Sequence, residues 1–248
     1  MGTKLQPKHL AAQEVIAWAL RRDADRFAVI TSFQREGMVI LDMAVRIDPR
    51  VRIITVDTGR LPQATHALIA QVQQHYDVSV EMVRPDQGEV DAMVQLHGID
   101  LFRSDVALRM LCCQVRKVRP MDRALAGLTS FAVGLRREQS ETRSEVRQIE
   151  EIGGRLKISP LAHWTSGEVS DYVARHDVPE HPLYAAGYAT IGCDPCTRAI
   201  ARGEDERAGR WWWETEADKE CGLHFTADGR AVRRVDVLLA ELLSPKNA

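Results

Sequence analysis

The chain has 248 residues, a length that one α/β domain can fill around a single core. Hydrophobic residues make up 45% and charged residues 27%, ordinary proportions for a soluble globular protein, and a formal charge of −2 excludes a globally basic nucleic-acid binder. No apolar run reaches the ~20 residues that span a bilayer, and the start, MGTKLQPKHLAAQEVIAWAL, lacks signal-peptide features, so a cytoplasmic protein with no membrane or nucleic-acid partner is expected.

In chain order, a leading helix is predicted over residues 10–22 and a strand over 27–32. Helices over 36–46, 61–76 and 87–96 then alternate with strands over 51–56 and 78–83. Residues 106–126 read as helical, with Pro120 a kink or break, and 129–134 as a further strand. This is the βαβ pattern of an α/β fold with a mainly parallel central sheet flanked by helices. Past Gln148 a short hairpin around Gly153-Gly154 is expected. Thr165-Ser166-Gly167-Glu168 fits a capping box opening a helix to about His176. From Pro179 onward the chain is rich in Gly, Pro, Trp and charge, a loop-rich C-terminal segment suited to covering a site.

Ligands of doubly wound sheets bind beyond the carboxyl ends of the strands. Two such ends carry polar sequence here: Ser32-Phe33-Gln34-Arg35-Glu36-Gly37 and Asp57-Thr58-Gly59-Arg60. A third, after the strand over 129–134, carries Arg136, Arg137, Gln139 and Arg143. Arginine forks match phosphate and sulfate oxygens, although a charge run of this kind is as readily a salt-bridged loop. Arg207 and Arg210 precede Trp211-Trp212-Trp213, three aromatic residues that cannot all enter one core.

Five cysteines in a chain with no export signal argue against a disulfide framework. Cys112-Cys113 are adjacent, Cys193 and Cys196 form a C-x-x-C pair, and Cys221 stands alone. Four thiolates from two distant segments suit Zn²⁺ or an iron–sulfur cluster. Adjacent cysteines diverge on a helix and fit a zinc knuckle poorly, whereas a cubane offers separate iron corners. A redox dithiol at Cys193 and Cys196 would leave the tandem pair unexplained. Lys117 lies about one helical turn beyond Cys113 and is either directed toward the same side or simply solvated. Cys221 lies in Lys219-Glu220-Cys221-Gly222-Leu223-His224, where it is either incidental or a thiolate favoured by Lys219 and His224.

In combination these motifs resemble the adenylyl-sulfate and phosphoadenylyl-sulfate reductase family, in its cluster-containing branch, over about residues 32–225. The resemblance is carried by Ser32-Phe33-Gln34, Asp57-Thr58-Gly59-Arg60, Gly134-x-Arg136-Arg137-x-Gln139-Ser140, the two cysteine pairs and Glu220-Cys221-Gly222-Leu223-His224. It implies a PP-loop adenine nucleotide α-hydrolase-like fold in a single domain, with a nucleotide-binding core over 1–178 and a C-terminal segment over 179–248. It further implies one [4Fe-4S] cluster on Cys112, Cys113, Cys193 and Cys196, and Cys221 as nucleophile. Lys117, Arg207, Arg210 and His224 would lie near the phosphosulfate, with Arg136, Arg137, Gln139, Arg143 and the two strand-end loops around the same pocket. The implied reaction, within sulfate assimilation and cysteine biosynthesis, converts adenosine 5'-phosphosulfate to sulfite and AMP, with thioredoxin or a similar dithiol as donor. A phosphoadenylyl-sulfate or dual-specificity reductase is the near alternative. The loop at Ser32 lacks the Ser-Gly-Gly-x-Asp-Ser form of ATP-cleaving PP-loop enzymes, which weakens a tRNA-thiolation reading. A zinc-stabilised nucleotide-binding module is the non-enzymatic alternative.

Overall fold

The structure, a computed structural model, describes residues 11–104, 106–140, 143–214 and 239. Helix α1 (Ala12–Asp23) leads into β1 (Phe27–Ile30), α2 (Arg35–Ile47), β2 (Arg52–Val56), α3 (Gln63–Tyr76) and β3 (Val80–Val83). Helices α4 (Gln87–His97), α5 (Val106–Cys113) and α6 (Arg119–Leu125) then precede β4 (Ser130–Val133). The hairpin β5 (Ile149–Ile152) and β6 (Arg155–Ile158) and the helix α7 (Ser166–His176) follow.

One sheet has the order β3-β2-β1-β4-β6-β5, parallel except where β5 meets β6. Its strands are buried by alternation, because successive side chains leave a strand on opposite faces. Phe27 and Val29 join the core shared with α1, α2, α3 and α7, whereas Ala28 and Phe131 join a smaller core with Met121 and Leu125 of α6. The chain leaves β1 toward β2 on one side, with β4 on the other, so a crevice opens at the carboxyl ends of β1 and β4.

Residues 37–45 of α2 are all buried, including Asp42 at 0% exposure. A buried carboxylate needs partners, and Asp42 accepts from Tyr76 Oη at 3.0 Å, Tyr172 Oη at 2.7 Å and Arg46 Nε at 2.8 Å. Helices α2, α3 and α7 are thereby tied together. Burial and the Asp42 charge hold both tyrosines well above the ordinary phenol range.

Local signals in the sequence explain the remaining elements. Thr165 Oγ1 accepts from Glu168 N at 3.1 Å and Glu168 Oε2 accepts from Thr165 N at 2.7 Å, which is the predicted capping box. Gly153 and Gly154, with φ of 56° and 75°, form the two-residue turn that right-twisted strands require. Pro120 neither breaks nor sharply ends its helix. It occupies the first turn of α6, and the strain appears upstream as a π-helical turn, Gln114–Val118, closed by Arg119 N–H to Gln114 O. Proline at that position lacks the N–H that would bond Arg116 O, and the widened turn falls directly after Cys112 and Cys113. Residues 177–214, after α7, form loops with short 3₁₀ turns, as the composition predicts.

Candidate functional site

A cleft of about 660 Å³ opens beyond β1, β2 and β4. The loop after β1 contributes Ser32 and Gln34, the loop after β2 contributes Thr58 and Arg60, and the loop after β4 contributes Gln139 and Arg143. Lys117 comes from the π-helical turn, and Arg207 and Arg210 from the C-terminal segment. All four described cysteines, Cys112, Cys113, Cys193 and Cys196, line the same cleft. Sequence positions far apart thus meet in one place.

The cysteines form no disulfide. Among the described residues, no three His, Cys, Asp or Glu side chains are grouped to hold a single metal ion. Cys112 and Cys196 are buried in an apolar cluster with Leu111, Val115 and Trp211, against which Cys113 and Cys193 pack. Burial pushes the Cys112 thiol up to about 11, with Arg116 pulling the other way, and the Cys196 thiol up to about 12, opposed by Arg210 and Arg60. Thiols this high are poor nucleophiles at neutral pH, and they ionise when a cation replaces the proton. Two further donors belong to this neighbourhood. Arg116 Nε and Trp211 Nε1 are buried without a hydrogen-bond acceptor among the described residues.

The loop after β2 is fastened to the C-x-x-C segment twice. Thr58 Oγ1 lies 3.2 Å from Cys193 Sγ, and Arg60 O accepts from Asp194 N at 2.8 Å. Arg60 itself is braced by Ile99 O at 2.6 Å and Asp100 Oδ1 at 3.2 Å and lies over the Phe102 ring. Arg210 is held as firmly. Its Nη1 donates to Thr197 Oγ1 at 3.1 Å, and its guanidinium stacks 4.7 Å from the Trp211 ring centre. That guanidinium presses on Gly192, where an added Cβ would stand 1.5 Å from Nη1. The tryptophan run divides as expected, with Trp211 2% exposed and Trp212 38% exposed.

Several expected contacts are otherwise employed. Phe33 is fully buried in the main core with φ of 59°, so its side chain shapes the loop rather than the cleft wall. Asp57 accepts from Gly59 N at 3.0 Å and Arg84 Nε at 3.2 Å, holding the turn from beneath, and neither Asp57 nor Gly59 lines the cleft. Arg136 reaches the cleft, but its guanidinium is committed to Glu36 Oε1 at 2.9 Å, Ser166 Oγ at 3.0 Å and Trp164 O at 3.3 Å. Arg137 is exposed outside the cleft and bonds Val146 O at 2.8 Å. Gln139 accepts from Arg136 N at 3.1 Å and from Arg143 Nη1. Cys221 and His224 lie outside the described residues.

Sequence reasoning passed over Arg116, whose Nη1 donates to Thr58 O at 3.0 Å while its positive charge counters the upward push of burial on the Cys112 thiol. Its spacing of four from Cys112 was the available signal. Arg109, ion-paired with Glu214, and Tyr184, stacked under Arg35, were also passed over.

A family profile described as the phosphoadenosine phosphosulfate reductase domain matches residues 26–199. The chain is 43% identical over 226 residues to an adenosine 5'-phosphosulfate reductase of Allochromatium vinosum, covering 90% of this chain and 88% of that one. A crystal structure of phosphoadenylyl-sulfate (PAPS) reductase from Candida auris in a phosphate complex superposes with a TM-score of 0.65 at 28% identity, over 77% of this chain and 91% of that one. Candida glabrata FMN adenylyltransferase, with FAD and inorganic pyrophosphate, shares the fold alone at a TM-score of 0.52 and 10% identity, over 98% of this chain and 87% of that one. With its sheet order, its strand-end cleft and this match over most of its length, the chain belongs to the phosphoadenosine phosphosulfate reductase family.

Proposed function

We propose that this protein reduces adenosine 5'-phosphosulfate to sulfite and AMP, with a thioredoxin-like dithiol as donor, in the cytoplasm. The observation that carries the reading is the convergence of four cysteines on a cleft that also presents Lys117, Arg207 and Arg210. The Allochromatium vinosum relative, named for adenosine 5'-phosphosulfate, is 43% identical, and the Candida auris protein named for the 3'-phosphorylated nucleotide is 28% identical, which favours the former substrate.

The donor set fits a [4Fe-4S] cluster held by Cys112, Cys113, Cys193 and Cys196. It comprises four thiols with Arg60, Arg116 and Arg210 near enough to offset negative charge, and the buried N–H donors of Arg116 and Trp211 await acceptors such as sulfur. Bound there, the cluster would supply structural order and local charge. No electron needs to pass through it.

Cys221 acts as nucleophile, because the other four thiols are committed. Its thiolate attacks the sulfur of the phosphosulfate, forming S-sulfocysteine, and the S–O bond electrons leave with AMP. Lys117, Arg207 and Arg210 offset repulsion between thiolate and dianion and stabilise the departing phosphate, with His224 expected to assist. A donor thiolate then attacks the Cys221 sulfur, sulfite departs, and the second donor thiol resolves the mixed disulfide. Protein given nucleotide without donor should gain one SO₃ group, about 80 Da, on Cys221, and Cys221→Ser should gain none. An adduct on any other cysteine would sink the assignment.

A further inference from the structure

The loop after β1 carries a chain of hydrogen bonds that the mechanism above leaves unused. Thr31 Oγ1 accepts from Phe33 N at 2.9 Å, and Phe33, with φ of 59°, turns into the core. Its neighbours Ser32 and Gln34 are thereby left lining the cleft. Gln34 is the N-cap residue of α2, yet its side chain makes no cap hydrogen bond. The first N–H of that helix, on Arg35, donates to Tyr184 Oη at 3.2 Å instead. The Gln34 amide is used elsewhere. Its Oε1 accepts from Ile191 N at 2.9 Å, and its Nε2 donates to Ser32 Oγ at 3.1 Å. Ile191 is buried and stands two residues before Cys193, so the chain of bonds is rooted in the segment that carries the C-x-x-C pair.

We infer that Gln34 is a positioning residue that sets the polarity of Ser32, making the Ser32 hydroxyl a donor to a phosphate oxygen of the nucleotide. The inference rests on the reading of the cleft as a nucleotide site. A backbone N–H can only donate, so the Ile191 contact fixes which end of the Gln34 amide is oxygen. The other end is then an NH₂ group, which also can only donate, and Ser32 Oγ accepts from it. A hydroxyl carries a single proton. That of Ser32 therefore points away from Gln34, and Ser32 is exposed where it lines the cleft. A phosphate oxygen accepts and does not donate at neutral pH, so a hydroxyl held as a donor matches it, and the charge strengthens the bond. A mere tie between this loop and the cysteine-bearing segment would need only the acceptor end of the amide, which a glutamate supplies equally well. The donor end is what a glutamate lacks.

The test is a double-mutant cycle on anaerobically purified protein, reading the affinities of AMP and of adenosine by isothermal titration calorimetry. Gln34→Glu keeps the acceptor for Ile191 N but turns the Ser32 proton back onto the new carboxylate. Gln34→Glu and Ser32→Ala are each expected to weaken AMP by about 10-fold or more, with adenosine, which lacks the phosphate, within about 2-fold. In the Ser32→Ala background, Gln34→Glu should cost about 3-fold or less, the remainder being repulsion from a partly exposed carboxylate. Equal costs in the two backgrounds overturn the relay, because Gln34→Glu then acts by charge alone. Unchanged AMP affinity in either single variant also overturns it. So does equal weakening of AMP and adenosine, which reduces Gln34 to a fold contact. Absence of AMP binding to the unaltered protein removes the nucleotide-site reading, and the relay with it.

Discussion

Thr58 Oγ1 and Cys193 Sγ lie 3.2 Å apart, joining the loop after β2 to a C-x-x-C segment 135 residues further along the chain. The contact shows how a nucleotide-type sheet and a cysteine-lined wall become one site. It also fixes Cys193 in the wall that Cys112, Cys113 and Cys196 line with it.

On the proposed ligand set, Cys112→Ser and Cys193→Ser are each expected to lose most iron and the brown colour of an iron–sulfur protein, while Cys221→Ser retains both. Iron and sulfide analysis of anaerobically purified protein checks this, with about four of each per chain expected in the unaltered protein. Stoichiometric zinc without iron would contradict the cluster.

Gly192 has no room for a side chain, because an added Cβ would meet Arg210 Nη1 at 1.5 Å. Gly192→Ala should displace the Arg210 guanidinium from its seat between Thr197 and Trp211. Sulfite release should fall by about 100-fold, the scale at which small misplacements near reacting groups are felt, while the far-ultraviolet dichroism stays unchanged. Steady-state kinetics of the alanine variant decide the matter, and near-normal turnover would show that Arg210 is dispensable in this pose.

His181 provides a pH test away from the chemistry. It is 1% exposed, accepts from Leu183 N at 3.2 Å through Nδ1, and therefore donates from Nε2 to Thr65 Oγ1 at 2.9 Å. Burial lowers its pKa from 6.5, so below that value the unfolded chain binds a proton more readily than the folded one. The neutral-histidine contribution is complete above 6.5 and is lost as pH falls through it toward the lower folded value. The urea midpoint should drop between about pH 7.5 and about pH 5.5, and should drop less in His181→Asn. Equal drops in the two proteins would contradict this.

Much of the fold is local and was legible in the sequence. Short apolar runs mark β1, β2 and β4, paired glycines mark the β5–β6 turn, and Thr165 with Glu168 marks the start of α7. The cysteine pairs were equally legible, because residue type and spacing alone suggest shared ligation. What sequence could not reveal is which cations are already engaged. Arg136 looks like an anion ligand until Glu36, 100 residues away, takes its Nε. Arg109 looks like a surface residue until Glu214, 105 residues away, is found against it. Phe33 has the chemistry of a base-stacking residue, but a backbone φ of 59° turns it into the core. These outcomes depend on contacts between distant segments, which neither periodicity nor local spacing encodes.

The central claim is tested most directly by sulfite release from adenosine 5'-phosphosulfate and from its 3'-phosphorylated form, under anaerobic conditions with thioredoxin as donor. The account predicts sulfite and AMP from the first nucleotide, with kcat/KM about 10-fold or more above that for the second. Equal or reversed values would contradict the substrate assignment, and sulfite from neither nucleotide would contradict the reductase itself.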